Sequence, residues 1–309
     1  MRTFKIAVLA ISFILSATGK LLAEPLVVTV QGPETSADTR YDYDHAVIRL
    51  ALEKTEQDYG DFIMHVSPTG QNSQRALTAA TRGTYENYVV KFSASNKLAE
   101  EAGIIPFPVD LGIVGYRVAF VSHKTKEKLA SVETIDQLKA FNIVQGIGWL
   151  DTSILRNHGF DVRTIEDYDS MFRMVALNRM DLFLRGANEL LGEWNTHKTI
   201  PQLTYDDAVS IYYPLPRFLV TAKENTKLIE RLQTGLVRAY EDGSLIALWE
   251  DKYRPSIDFV KLQSRTIFRL TNPYISNIDP SWEKYVYQAL MKDKNEKTSV
   301  DEEKKYASN

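Results

Sequence analysis

The sequence predicts an α/β protein of two lobes, each a wound, mostly parallel sheet flanked by helices. Three observations carry this. Strand-like and helix-like runs alternate along the chain. The alternation starts afresh near residue 115, giving two sets of it. A proline-bracketed segment near residue 214 then leads to one more strand and a long helix, as in a chain returning to its first lobe. A length of 309 residues gives each lobe enough chain to bury a core.

In the first set, "PLVVTVQGPE" (25–34) reads as a strand ending in a Gly-Pro turn. "DHAVIRLALEKTEQDYG" (44–60) places Val47, Leu50, Ala51 and Lys54 at helical spacing, with Gly60 as a stop. "FIMHVSP" (62–68) is a second strand, "SQRALTAATRG" (73–83) a short helix closed by Gly83, and "YVVKFSAS" (88–95) a third strand. The second set opens with "GYRVAFVS" (115–122). "TIDQLKAF" (134–141) carries Thr134 and Gln137 at capping-box spacing. "NIVQGIG" (142–148) is a strand and "DTSILRNHG" (151–159) a helix ended by Gly159. "DYDSMFRMVALNR" (167–179) puts Tyr168, Met171, Phe172 and Val175 on one helical face, read as core packing. "MDLFLRG" (180–186) is another strand.

The return begins at "YYPLPRFLV" (212–220), where Pro214 and Pro216 fix an extended segment. "RFLVTA" (217–222) is a strand, and Leu228, Leu232 and Leu236 give a helix. The strands at 116–122 and 217–222 are read as the two that join the lobes. The expected division is lobe one at 24–115, lobe two at 116–214, a return to lobe one at 215–291, and a polar tail at 292–309.

The ends and the composition exclude several classes. Arg2 and Lys5, then an apolar run from Ile6 to Leu15, then Leu21-Leu22-Ala23 read as a cleavable signal peptide over 1–23. The run is short for a membrane span. This implies export, with a periplasmic location. There is no cysteine, hence no disulfide and no thiolate metal site. Losing Arg2, Lys5 and Lys20 with the leader takes the formal charge from −3 to −6, which is no footprint for nucleic acid or anionic lipid. The five histidines never fall at helical metal-ligand spacing, so no metal and no cofactor are expected. Gly146-x-Gly148 lacks the third glycine of a dinucleotide fingerprint, because Asp151 stands there. Neither a Walker sequence nor a Gly-x-Ser-x-Gly elbow occurs.

What remains is a glycine turn before a helix start. Asp151, Thr152 and Ser153 are all N-cap types, and the free N–H groups of such a start favour an anion. A plain capped helix is the alternative. Arg185 ends an apolar strand, where open α/β sheets place their ligands. It either faces that crevice or pairs with Glu189 one helical turn on.

The stretches "PFPVDLGIVGYRVAF", "GIGWLDTSILRNHGF", "YDSMFRMVALNRMDLFLRGANE" and "YPLPRFLV", in this order, resemble the extracellular solute-binding family 3. These are two-lobed periplasmic proteins that serve amino-acid ABC transporters. With the framework around them the likeness covers nearly the whole chain after residue 23, as a divergent branch. It implies that a small polar solute is bound in the interlobe cleft for delivery to an ABC-type permease, by a monomer and without catalysis. A membrane sensor is the alternative partner. A dehydratase-like enzyme is a further alternative, with Glu189 as its candidate acid. The chain departs from the family where Glu101 replaces the usual lobe-one Arg, and where Arg185-Gly186 replaces the usual lobe-two Asp. The expected ligand residues are Tyr41, Tyr43, Gln71, Arg75 and Ser93 from lobe one, and Trp149, Asp151, Thr152 and Arg185 from lobe two. The ligand's acidic group is expected to face lobe two, at Arg185.

Overall fold

The computed structural model describes residues 24–34 and 40–287. The expected signal peptide at 1–23 and the polar tail at 292–309 lie outside the described residues.

The first part of the chain forms β1 (Leu26–Val30), α1 (Asp42–Glu53), α2 (Glu56–Tyr59), β2 (Phe62–Val66), α3 (Ser73–Thr81), β3 (Tyr88–Ser93), α4 (Asn96–Glu101) and β4 (Gly103–Ile105). The middle forms β5 (Tyr116–Ser122), α5 (His123–Leu129), α6 (Ile135–Lys139), β6 (Ile143–Gly146), α7 (Leu150–Asn157), β7 (Val162–Ile165), α8 (Tyr168–Ala176), β8 (Leu182–Gly186), α9 (Leu190–His197), β9 (Leu203–Tyr205) and β10 (Val209–Tyr212). The last part forms β11 (Arg217–Thr221), α10 (Thr226–Glu241), α11 (Ser244–Val260) and β12 (Thr266–Arg269).

Two sheets result. One has the order β2-β1-β3-β11-β4 and the other β12-β10-β5-β8-β6-β7, with β9 beside β5. All strands of the first sheet run one way except β11, and all of the second except β5. Each exception is the strand that enters its sheet from the other lobe, which is why it runs against its neighbours.

Local chemistry matches the elements. Thr134 and Gln137 form a complete capping box on α6. On α8, Met171, Phe172 and Val175 are buried, as core packing requires. Leu228, Leu232 and Leu236 of α10 are buried as well. The cap of α7 differs from expectation. Trp149 stands at the N-cap with no side-chain cap, and Asp151 and Thr152 fall inside the first turn.

The junction differs too. β5 and β11 do not pair with each other; each lies inside one sheet. The crossings are the irregular segments 106–115 and 213–216, held by Tyr213 N–H donating to Gly115 O at 3.2 Å. A Cβ on Gly115 would stand 2.6 Å from Tyr213 O, so only glycine allows this approach. The return at 215–291 is not confined to lobe one, because β12 pairs in parallel with β10 in the second sheet. Its register, Val209↔Thr266 to Tyr212↔Arg269, gives β10 a partner along its whole length that an edge strand would lack. Residues 270–286 then return to lobe one, where Trp282 packs on Phe218.

Candidate functional site

A cavity of about 110 Å³ lies between the two sheets. From lobe one it is lined by Arg40, Tyr41 and Asp44 at the start of α1, Ser73 of α3, Lys91 and Ser93 of β3, and Arg217 of β11. From lobe two come Arg117 of β5, Gly148 to Asp151, Arg185 and Glu189. The lobes approach closely here. Gln74 Oε1 of α3 lies 3.1 Å from where a Cβ on Gly148 would stand, and Gly148 has φ +79.

Four of the lining cations are single charges in apolar strands: Lys91, Arg117, Arg185 and Arg217. A buried charge is costly unless paired, and three of them are. Lys91 Nζ meets Asp44 at 2.5 Å and Asp110 at 3.0 Å. Burial pushes the Asp44 carboxyl upward further than Lys91 pulls it down. Arg117 is 2% exposed and pairs with Asp151 Oδ1 at 2.8 Å. The same oxygen accepts from the Tyr213 hydroxyl at 2.6 Å. Arg185 donates Nε to both oxygens of Glu193 at 2.9 Å, and Nη2 to Glu193 at 2.6 Å. It also pairs with Glu189 at 3.0 Å. Trp149 stacks over it, with the guanidinium 4.8 Å from the ring centroid. Arg217 has no hydrogen-bond or ion-pair partner among the described residues, and its Nε is a buried donor left unused.

The two acids on Arg185 are driven apart. Burial raises Glu189, but Arg185, Arg117, Arg217 and the Gly186 N–H outweigh it and hold the carboxyl at about 2. Glu193 is raised, because burial and the neighbouring Glu189 exceed the pull of Arg185 and Tyr168. A depressed carboxyl stabilises the fold above its unfolded pKa, and that contribution is lost as pH falls through the folded value. Glu189 therefore contributes on the order of 3 kcal/mol at neutral pH, lost between about pH 4.5 and pH 2. Glu193, raised, has the opposite sign and offsets part of this. Urea unfolding as a function of pH should show a flatter acid limb in Glu189→Gln than in the parent. Parallel limbs would contradict the assignment.

The expected ligand residues separate into two groups. Tyr41, Ser93, Trp149, Asp151 and Arg185 line the cavity together. Tyr43, Gln71, Arg75 and Thr152 do not. Tyr43 is 4% exposed and turned into the core, where its hydroxyl donates to Val109 O at 2.7 Å and its ring meets Tyr253. It sits one turn before Val47, on the buried face of α1. The Gln71 amide is engaged by Tyr85 and Tyr88. Arg75 is exposed and donates to Gly70 O, while the start of α3 offers Ser73 to the cavity instead. Thr152 is buried in the first turn of α7, with its hydroxyl unpartnered. Glu101 lies away from the cavity, exposed on α4 beside Lys97. The sequence reading missed Arg40, Asp44, Ser73, Lys91, Arg117 and Arg217. A lone cation in an apolar strand was the available signal for three of them.

No family model and no curated protein matches the sequence. Solved structures match the fold. A periplasmic binding protein of Salmonella typhimurium, described for its high arginine specificity, is 12% identical with a TM-score of 0.55, over 74% of this chain and 99% of that one. The GluR0 ligand-binding core of Nostoc punctiforme, in complex with L-glutamate, is 11% identical with a TM-score of 0.51, over 75% and 100%. An ancestral amino-acid-binding protein, a precursor of cyclohexadienyl dehydratase, is 11% identical with a TM-score of 0.53, over 74% and 96%. The fold is that of the two-lobed periplasmic binding proteins. The cavity at Arg217 and Arg185 lies between the two lobes, and Val114 and Leu215 of the crossing segments 106–115 and 213–216 are in its lining.

Proposed function

We propose that this protein belongs to the solute-binding family 3, and that it binds a small polar solute in the interlobe cleft and offers the closed form to an ABC-type permease in the membrane. The observation that carries this reading is a small, charge-lined cavity at the meeting of two lobes that are joined by narrow crossings. About 110 Å³ is well below the roughly 300–1,000 Å³ of sites for drug-sized ligands, which favours a solute of few atoms. Solved structures of the same fold bind arginine and glutamate, and this supports a solute-binding role in amino-acid uptake. The reading includes removal of residues 1–23 as a signal peptide, a periplasmic location and a monomer.

Turnover is not part of the reading. Glu189, the cleft acid nearest the lobe-two strand ends, is held ionised by three arginines and has no proton to give at neutral pH. A thermal-shift screen of amino acids, organic acids, amines and polyols identifies the solute. At about 100 times its dissociation constant a ligand adds roughly 2.7 kcal/mol of stability. Small-angle scattering should then give a smaller radius of gyration with the solute, and Trp149 fluorescence should change at the same concentration. Scattering that is unchanged at saturation overturns the hinged binder. Steady conversion of the solute, seen by mass spectrometry, overturns the reading without catalysis.

A further inference from the structure

The helix α11 (Ser244–Val260) follows α10 of lobe one and leads into β12, which lies in the second sheet. Its 17 residues therefore pass from one lobe to the other. The partners divide along its length. In the first part, Trp249 Nε1 donates to Asp110 O at 2.9 Å, and the Tyr253 hydroxyl donates to Asp110 Oδ1 at 2.9 Å. Asp110 belongs to the crossing segment 106–115. Tyr253 also meets the Tyr43 ring of α1, with the centroids 4.4 Å apart. In the second part, the Ser256 hydroxyl donates to Ala187 O at 2.7 Å and accepts from the Leu191 N–H at 3.2 Å. Phe259 meets Tyr205 of β9, with the centroids 4.8 Å apart. Ala187, Leu191 and Tyr205 are all of lobe two.

The change of partner falls between Tyr253 and Ser256, and Pro255 stands between them, inside the helix. Proline has no N–H, so the bond from residue 255 back to the Asp251 carbonyl is missing, and the ring crowds that carbonyl. Helices bend at such places. Pro255 is exposed, so its ring fills no space in the core. The weak point of α11 thus coincides with the boundary between its two attachments. Both attachments adjoin the cavity in sequence. Tyr43 precedes Asp44, and Ala187 lies two residues after Arg185.

We propose that α11 is a jointed strut between the lobes, and that it bends at Pro255 when the cleft opens and closes. This rests on the solute-binding reading above, in which the lobes part to admit a solute. In the structure Gln74 of α3 stands against Gly148, so opening separates α3 from the turn before α7. An unbroken helix held at Asp110 and at Ala187 resists that motion along its whole length. A helix that lacks one backbone bond at the change of partner turns there, and the contacts of both halves persist.

The chain has no cysteine, so Thr78→Cys on α3 and Asn157→Cys at the end of α7 place one spin label on an exposed site of each lobe. Pulsed electron resonance without solute then reads the distance between lobes in the parent, Pro255→Ala and Pro255→Gly. The parent should populate a separation longer than that of the structure. Pro255→Ala completes the helix and should lose that population. Pro255→Gly restores the N–H but leaves a poor helix former at the joint, and should retain it. A longer separation that is as populated in a folded Pro255→Ala as in the parent overturns the joint and leaves the solute-binding reading standing. A parent that shows only the separation of the structure also overturns the joint, and the solute screen then decides the solute-binding reading by itself. Should Pro255→Ala fail to fold, hydrogen exchange in the parent decides. Amides around Pro255 should exchange faster than those near either end of α11, and uniform protection along the helix overturns the proposal.

Discussion

Arg185→Met should lower the stability of the protein by about 3–5 kcal/mol, the cost of breaking a buried ion pair from one side. Arg185 is 4% exposed and Glu193 8%. The guanidinium donates to both Glu193 oxygens and also reaches Glu189. The Tyr168 hydroxyl donates to Glu193 as well, at 2.5 Å. Methionine fills much of the volume of the arginine stem but leaves the buried Glu193 beside Glu189 without its own cation. Urea unfolding should show a lower midpoint at unchanged slope. A second substitution separates charge from packing. In the double variant Arg185→Met, Glu193→Leu most of the loss should return, because removing both partners of a buried pair is often close to neutral. A double variant as unstable as the single one would place the cost in packing rather than in the uncompensated acid.

That cluster shows where sequence reading reaches and where it stops. The order of strands and helices is written in hydrophobic periodicity, which is local, and so β1 to β3, β5, β6, β8 and β11 were legible. The short strands β4, β7, β9, β10 and β12 carry three or four residues of pattern each, too few to stand out. The placement of β12 in the second sheet is a tertiary fact with no local signature. Within the site, Ser93, Trp149 and Arg185 were reachable because strand ends face the cleft in this kind of sheet. The use each side chain is put to was not. Arg185 was weighed between a ligand and Glu189, and the structure gives it Glu189 together with Glu193, eight residues on. In sequence Asp151 reads either as a helix cap or as a ligand residue. Its partners are Arg117 and Tyr213, 34 and 62 residues away in sequence, which no window of sequence brings together.

Asp151→Ala should have the second large effect, also about 3–5 kcal/mol, because it strands Arg117. Arg117 is 2% exposed; its Nη1 and Nη2 reach the carbonyls of Val114 and Leu184, and Asp151 is its salt-bridge partner. The three residues come from three places: Arg117 from β5, Asp151 from the first turn of α7, and Tyr213 from the crossing segment 213–216. Burial and Asp151 together raise the Tyr213 hydroxyl well above its ordinary value, so it stays a donor throughout the usable pH range. Tyr213→Phe removes one hydrogen bond to a charged group and should cost less, about 1.5–3 kcal/mol. Asp151→Asn keeps the shape and the acceptor but not the charge, and should fall between Tyr213→Phe and Asp151→Ala. The same network ties the crossing segment at Tyr213 to the wall of the cleft, so under the proposed binding function its loss should also alter closure. In small-angle scattering the ligand-induced decrease in radius of gyration should be smaller in Tyr213→Phe than in the parent, even where the variant is fully folded. If Asp151→Ala unfolds at the same urea concentration as the parent, Arg117 has another partner in solution and the crossing segment at Tyr213 is not anchored through Asp151.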